Sequence, residues 1–150
     1  MNADRQQQVM ELVHQVGNRF VAVEKEFVFE HEGIRLHASE IHLMDAVAGT
    51  PGINPTAIAE RLNITKGAVS QTLARLEKKN IIRRDVDPTN NAALNVTLTP
   101  FGDDALTAFR RKFDAQWSAF SDYVDGLSHQ EYQVVLRFLS SLKGFLSNFG

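Results

Sequence analysis

Residues 54–84 read NPTAIAERLNITKGAVSQTLARLEKKNIIRR, and this stretch decides the fold. Asn54 is a helix cap, and Pro55 takes the first helical position, where its missing N–H costs no hydrogen bond. That helix is short and ends near Leu62. Thr65 caps a second helix running to about Lys79, and Asn80 supplies a left-handed stop. Two short helices separated by Asn63-Ile64 make a helix-turn-helix. Ile58 and Leu62 of the first face Val69, Leu73 and Leu76 of the second, which share one stripe at i, i+4 and i+7. At about 100° per residue the opposite face carries Gly67, Gln71, Ala74, Arg75 and Lys78, with Ser70 at its edge.

The residue types on that outer face suit a DNA groove. Gln71 and Arg75 offer paired hydrogen bonds to base edges, glutamine to adenine and arginine to guanine. Gly67 and Ala74 are small enough to let the helix sit deep. Thr65 and Lys66 lie at the helix N-terminus, where backbone amides and the helix dipole favour a phosphate. Any two-helix corner with a solvated outer face shows the same stripe, so the stripe alone leaves both readings open. The next elements separate them. Residues 81–86 (IIRRDV) and 93–98 (ALNVTL) favour strands, and DPTNN at 87–91 supplies a turn. Helix, helix, hairpin is the order of a winged helix.

Outward from this centre the chain is helical. Residues 3–29 place Val9, Leu12, Val13, Val16, Phe20, Val23 and Phe27 at helical spacing, predicting a long amphipathic helix. Glu30–Gly33 reads as a linker, and a short helix is expected over Ser39–Val47 with Ser39 as its cap. Gly49-Thr50-Pro51-Gly52 then breaks the chain. Thr99-Pro100 repeats the cap-and-proline signal and starts a helix through about Gly126. Ser128 with Glu131 forms a capping box for a last helix, apolar at Val135, Leu136, Leu139, Leu142, Phe145, Leu146 and Phe149.

From Leu36 to about Gly102 the chain resembles the MarR family of winged-helix regulators. Residues 55–62 (PTAIAERL) are similar to the first helix of the family motif. ITKGAVSQTLARLEKKNIIRR is similar to its recognition helix and the approach to the wing. Asp87-Pro88 and LTPFG at 98–102 match the wing's start and exit. The resemblance implies a homodimer that binds a pseudo-palindromic operator, usually as a repressor, and releases it when a small ligand binds. The chain departs from the family at the wing tip, where the pattern Asp-Pro-x-Asp-Arg-Arg is replaced by Asp87, Pro88, Thr89, Asn90, Asn91, Ala92. Two readings of Asn90 and Asn91 stand: minor-groove contacts made by asparagine, or a plain turn. Without the family's arginines, Arg83 and Arg84 on the outgoing strand become the candidates for backbone contact.

Composition and charge fit this reading. The 150 residues are 43% hydrophobic and 23% charged, ordinary for one globular domain with extensions. There is no cysteine, which excludes disulfides and thiol sensing. No apolar run is long enough for a membrane and the N-terminus lacks a signal peptide, so a cytoplasmic protein with no membrane partner is expected. Net charge is −2, yet residues 51–85 hold seven bases against three acids, a local +4 on a body of −6. Screening at physiological salt confines charge to a reach of about 8 Å, so a local basic patch still attracts phosphate.

Other chemistry is weakly represented. No phosphate loop, metalloprotease helix or nucleophile elbow occurs, so no enzyme and no cofactor are expected. Some members of the family sense zinc near the first two helices, and Glu24, His37, Glu40 and His42 could gather there. Residues 100–128 contain no histidine to complete such a site, and no metal is assigned. Phe101, Phe109, Phe113, Trp117, Phe120 and Tyr123 form an aromatic series along one helix that reads as core or dimer interface, with a ligand pocket as the other reading.

The expected fold is therefore mainly α with a small β-hairpin wing: a winged helix-turn-helix flanked by N- and C-terminal dimerisation helices. Residues 1–35 and 100–150 are read as the dimerisation parts and 36–99 as the DNA-binding domain. The expected partners are double-stranded DNA, a second copy of the chain and a small-molecule effector. The candidate DNA contacts are Thr65, Lys66, Gly67, Ser70, Gln71, Arg75, Lys78, Arg83, Arg84, Asn90 and Asn91. The rival expectation is a winged helix used for protein–protein contact, to which the altered wing points.

Overall fold

A computed structural model describes residues 2–87 and 90–149, with side chains for 3–86 and 94–148. The chain runs as α1 (Asn2–Glu26), β1 (Val28–His31), β2 (Ile34–His37), α2 (Ala38–Gly49), α3 (Pro55–Leu62) and α4 (Lys66–Lys78). It continues as β3 (Ile82–Asp87), β4 (Asn90–Leu98), α5 (Pro100–Asp125) and α6 (His129–Leu146), with a 3-10 turn at Ser147–Phe149. This is the mainly helical, winged architecture expected. One compact unit extends to Phe109 and a second begins at Arg110, with α5 running through the boundary.

The first unit corrects two readings. The helix expected over 3–29 ends at Glu26, and the supposed linker Glu30–Gly33 belongs to a hairpin. Phe29 pairs with Leu36 across β1 and β2, and both are buried. Glu32 (φ 47°) and Gly33 (φ 78°) both take positive φ, as a two-residue hairpin turn requires. The helical stripe stops at Phe27, and from Val28 the chain is a strand that buries Phe29. The cap of α2 is His37, not Ser39. His37 is extended (φ −91°, ψ 163°), and its N–H donates to the Glu40 carboxylate at 2.9 Å. Glutamate at the third helical position closes this end, which leaves Ser39 inside the first turn.

The core lies under the helix-turn-helix. Leu36, Met44, Ile58, Leu73, Leu76, Ile81, Val96 and Leu106 are essentially fully buried there. Each contributes about 1.5–3 kcal/mol by leaving water. The caps expected from sequence form: Asn54 accepts from Ala57 N–H at 2.9 Å, and Thr65 from Ala68 N–H at 3.1 Å. Between α3 and α4, Asn63 is left-handed (φ 52°), and Asn80 (φ 58°) stops α4 as expected.

The wing is an antiparallel pair with Ile82 opposite Leu98 and Arg84 opposite Val96, and its register shifts between Val86 and Asp87. β4 starts at Asn90, three residues earlier than read from sequence. Ile53 bridges Val96, with Gly52 N–H donating to the Val96 carbonyl and Val96 N–H to that of Ile53, both at 3.0 Å. A one-residue bridge thus ties the segment before α3 to the base of the wing. Pro88 and Thr89 lie outside the described residues, as do the side chains of Asn90 and Asn91. Thr99 opens α5: its hydroxyl accepts from Gly102 N–H at 3.0 Å and donates to the Asn80 carbonyl at 2.6 Å.

The second unit holds the rest of α5 and α6. The Ser128–Glu131 capping box is present, with Ser128 N–H donating to the Glu131 carboxylate at 2.9 Å. The Ser128 hydroxyl and N–H together hold that carboxyl below its ordinary pKa. No residue of α6 is buried, and Val134, Leu139 and Phe145 are exposed. On α5, Phe113 stacks on Trp117 with ring centroids 5.2 Å apart, and Trp117 meets Phe120 edge to face at 5.5 Å. Among the described residues no helix is long and apolar enough to cross a membrane.

Candidate nucleic-acid interface

Burial divides α4 cleanly. Val69, Thr72, Leu73 and Leu76 are buried, while Thr65, Lys66, Gly67, Ser70, Gln71, Ala74, Arg75 and Lys78 are exposed. The packing stripe and the outer face are those expected from the sequence, with Thr72 added to the buried side. A Cβ on Gly67 would meet only the Thr65 hydroxyl oxygen, at 3.9 Å. Nothing within the chain requires glycine there.

The cations are less uniform than their count suggests. Arg61 donates to the Ala46 carbonyl at 3.4 Å and to the Thr50 hydroxyl at 3.2 Å, tying α3 to the end of α2. Lys79 is bound to the buried carboxylate of Glu40. Arg84 is ion-paired with Glu77 of α4, and this hydrogen bond lowers the pKa of the Glu77 carboxyl and raises that of the guanidinium. Arg83 is 67% exposed, 3.3 Å from Asp85, and donates to the Thr97 hydroxyl at 3.1 Å. Successive strand residues point to opposite faces. The structure therefore does not bring Arg83 and Arg84 together, and Arg84 is turned back onto the helix. Among the described residues, Lys66, Arg75, Lys78 and Arg83 are exposed cations of α4 and the wing.

Glu40, Thr72 and Glu77 had no signal in the sequence as partners of this surface. Glu40 lies 39 residues from Lys79, and no local pattern encodes that contact. The four groups weighed for zinc do not converge. Glu24 meets His42 at 3.0 and 3.1 Å, whereas Glu40 is engaged by Lys79 and His37 is exposed. Elsewhere, ligand atoms of His31, Glu32 and Asp104 lie within 4.8 Å of one another, with His31 already bonded to Asp104 at 2.8 Å.

Comparison with known proteins places this geometry. Residues 36–90 match the sequence model of the MarR family. The transcriptional regulator HosA of Escherichia coli O111:H- is 28% identical over 114 residues, covering 76% of this chain and 82% of HosA. The regulator PchR of Bacillus subtilis (strain 168) is 26% identical over 108 residues, 72% of this chain and 64% of PchR. Among solved structures, Streptococcus pneumoniae FabT in complex with DNA shares the fold with a TM-score of 0.75 at 23% identity, covering 97% of this chain and 99% of FabT. Lactococcus lactis ZitR, a zinc-responsive MarR family member, gives 0.69 at 18% identity over 94% of this chain and 98% of ZitR. These relatives do not favour the protein–protein reading of the wing. Residues 36–90 of the chain are thus similar to the MarR family of transcriptional regulators, and its fold is the one these solved structures share.

Proposed function

We propose that the chain acts as a homodimeric, effector-responsive repressor that reads a pseudo-palindromic operator with α4 in the major groove. The observation that carries this is the division of α4: every α4 residue proposed to touch DNA is exposed, and its packing stripe is buried. Residues 36–99 form the DNA-binding part, with Thr65, Lys66, Gly67, Ser70, Gln71, Arg75 and Lys78 on α4 and Arg83 on the wing. Arg84 joins them only once released by Glu77, and Asn90 and Asn91 act at the wing tip. FabT, similar in fold, is in complex with DNA.

The apolar surface left on the helices supports the dimer. Val16 and Phe20 on α1, Trp117 and Phe120 on α5, and Leu139 and Phe145 on α6 are all more than 40% exposed. Patches of this extent mark interaction surfaces. A two-fold dimer carries two recognition helices about 34 Å apart, one turn of DNA. A small effector that favours another spacing lowers affinity through its differential binding to the two states. A salt titration against the chain's own promoter fragment tests the reading. Several phosphate contacts make affinity fall steeply as salt rises. A chain that retains no duplex at low salt overturns it.

A further inference from the structure

Glu40 is a wholly buried carboxylate, 0% exposed, in a position where glutamate is rarely found. It sits in the first turn of α2, yet most of its partners come from elsewhere. Lys79 Nζ donates to Oε1 at 2.7 Å and to Oε2 at 2.8 Å. The same ammonium donates to the Arg35 carbonyl of β2 at 2.7 Å. Arg75 Nε stands 3.8 Å from Oε1. One side chain therefore joins β2, the start of α2 and the last turns of α4.

Lys79 alone balances the Glu40 charge. The second cation, Arg75, is an exposed member of the α4 outer face, with half its side chain in solvent (51%). Its distance from the carboxylate is too long for a hydrogen bond but close enough for attraction. A second tether bounds it, because Nη2 donates to the hydroxyl of buried Thr72 at 2.9 Å. A guanidinium has five N–H donors in a fixed fork. One is taken by Thr72 and the Nε–H is held on the Glu40 side, which leaves the outer donors of Nη1 and Nη2 for a base edge. Immobilising the side chain during folding removes that entropy loss from the binding step.

We infer that Glu40 and Thr72 are positioning residues that preset Arg75 for a guanine edge, so that base preference depends on an α2 residue that never touches DNA. This rests on the reading of α4 as the DNA-reading helix. The test presents the full chain with a duplex pool carrying a randomised core two helical turns long, and reads the bases retained. Arg75→Ala identifies the position that Arg75 reads. At that position Glu40→Gln and Thr72→Val are each expected to weaken guanine preference about tenfold, with other positions and non-specific affinity unchanged. In an Arg75→Ala background neither change has any further effect. Variants that select the same bases as the unaltered chain, or that shift preference without Arg75, overturn the inference. Should Glu40→Gln not fold, Thr72→Val decides alone. An unaltered chain that retains no duplex at low salt sinks the reading of α4 as well, whereas a selective chain with indifferent variants sinks only the positioning role.

Discussion

Gly102 of α5 and Ile81, at the junction of α4 and β3, approach so closely that a Cβ on Gly102 would lie 2.0 Å from the Ile81 carbonyl oxygen. That oxygen already accepts the Thr99 N–H at 2.9 Å, so it is fixed in place. Gly102→Ala must separate α5 from the strand leading into the wing. A loss of about 3 kcal/mol of stability is expected, the upper part of the overpacking range, because the clash is with backbone. Urea denaturation monitored by circular dichroism measures it, and an unchanged midpoint would show that the two segments part without cost.

Gly67→Ala is expected to do the reverse. The added methyl meets no internal atom closer than ordinary contact, and alanine is the better helix former by about 1 kcal/mol. Thermal stability should hold or rise while DNA affinity falls, because the methyl would occupy space next to the phosphate that the proposed docking puts at the start of α4. Equal affinity of the two proteins in a gel-shift titration would mean that DNA does not approach there.

Gln71 and Lys78 share the exposed face of α4 but differ in what they offer. Gln71→Ala should relax preference at one base pair, at about 1–3 kcal/mol for a lost paired contact. Lys78→Ala should weaken all sequences alike and flatten the salt dependence. Base-by-base competition separates these outcomes, and identical profiles for both variants would contradict the assignment of the face.

The Glu77–Arg84 pair carries a pH signature. Its hydrogen bond lowers the Glu77 pKa in the folded chain, so the pair's contribution is complete above the ordinary glutamate range. It is lost as pH falls through the depressed folded value. An NMR titration of the Glu77 carboxyl should show a midpoint below the ordinary range, moving up in Arg84→Gln. Glu77→Gln should also free Arg84 and strengthen non-specific DNA binding at low salt. If the carboxyl titrates alike with and without Arg84, the pair does not persist in solution.

What could be read from sequence was what is written locally. Asn54, Thr65 and Ser128 each cap a helix through an atom three residues on, and Val69, Leu73 and Leu76 show their shared burial by spacing alone. The hairpin of β1 and β2 escaped because the helical stripe ending at Phe27 runs directly into it, and its strands are only four residues long. Charge was the least legible property. Arg61, Lys79 and Arg84 count toward a basic patch in sequence, yet each is held by a partner that only the fold supplies.

The bridge between Ile53 and Val96 has a mechanical consequence. With the wing's base laced to the segment that leads into α3, and Thr99 bonded to Asn80 and Ile81 at the far end of α4, the hairpin cannot pivot on its own. A pull on the first turn of α5 moves helix and wing together as one lever. If α4 and the wing read a groove as proposed, surfaces linked in this way are expected to engage and disengage together.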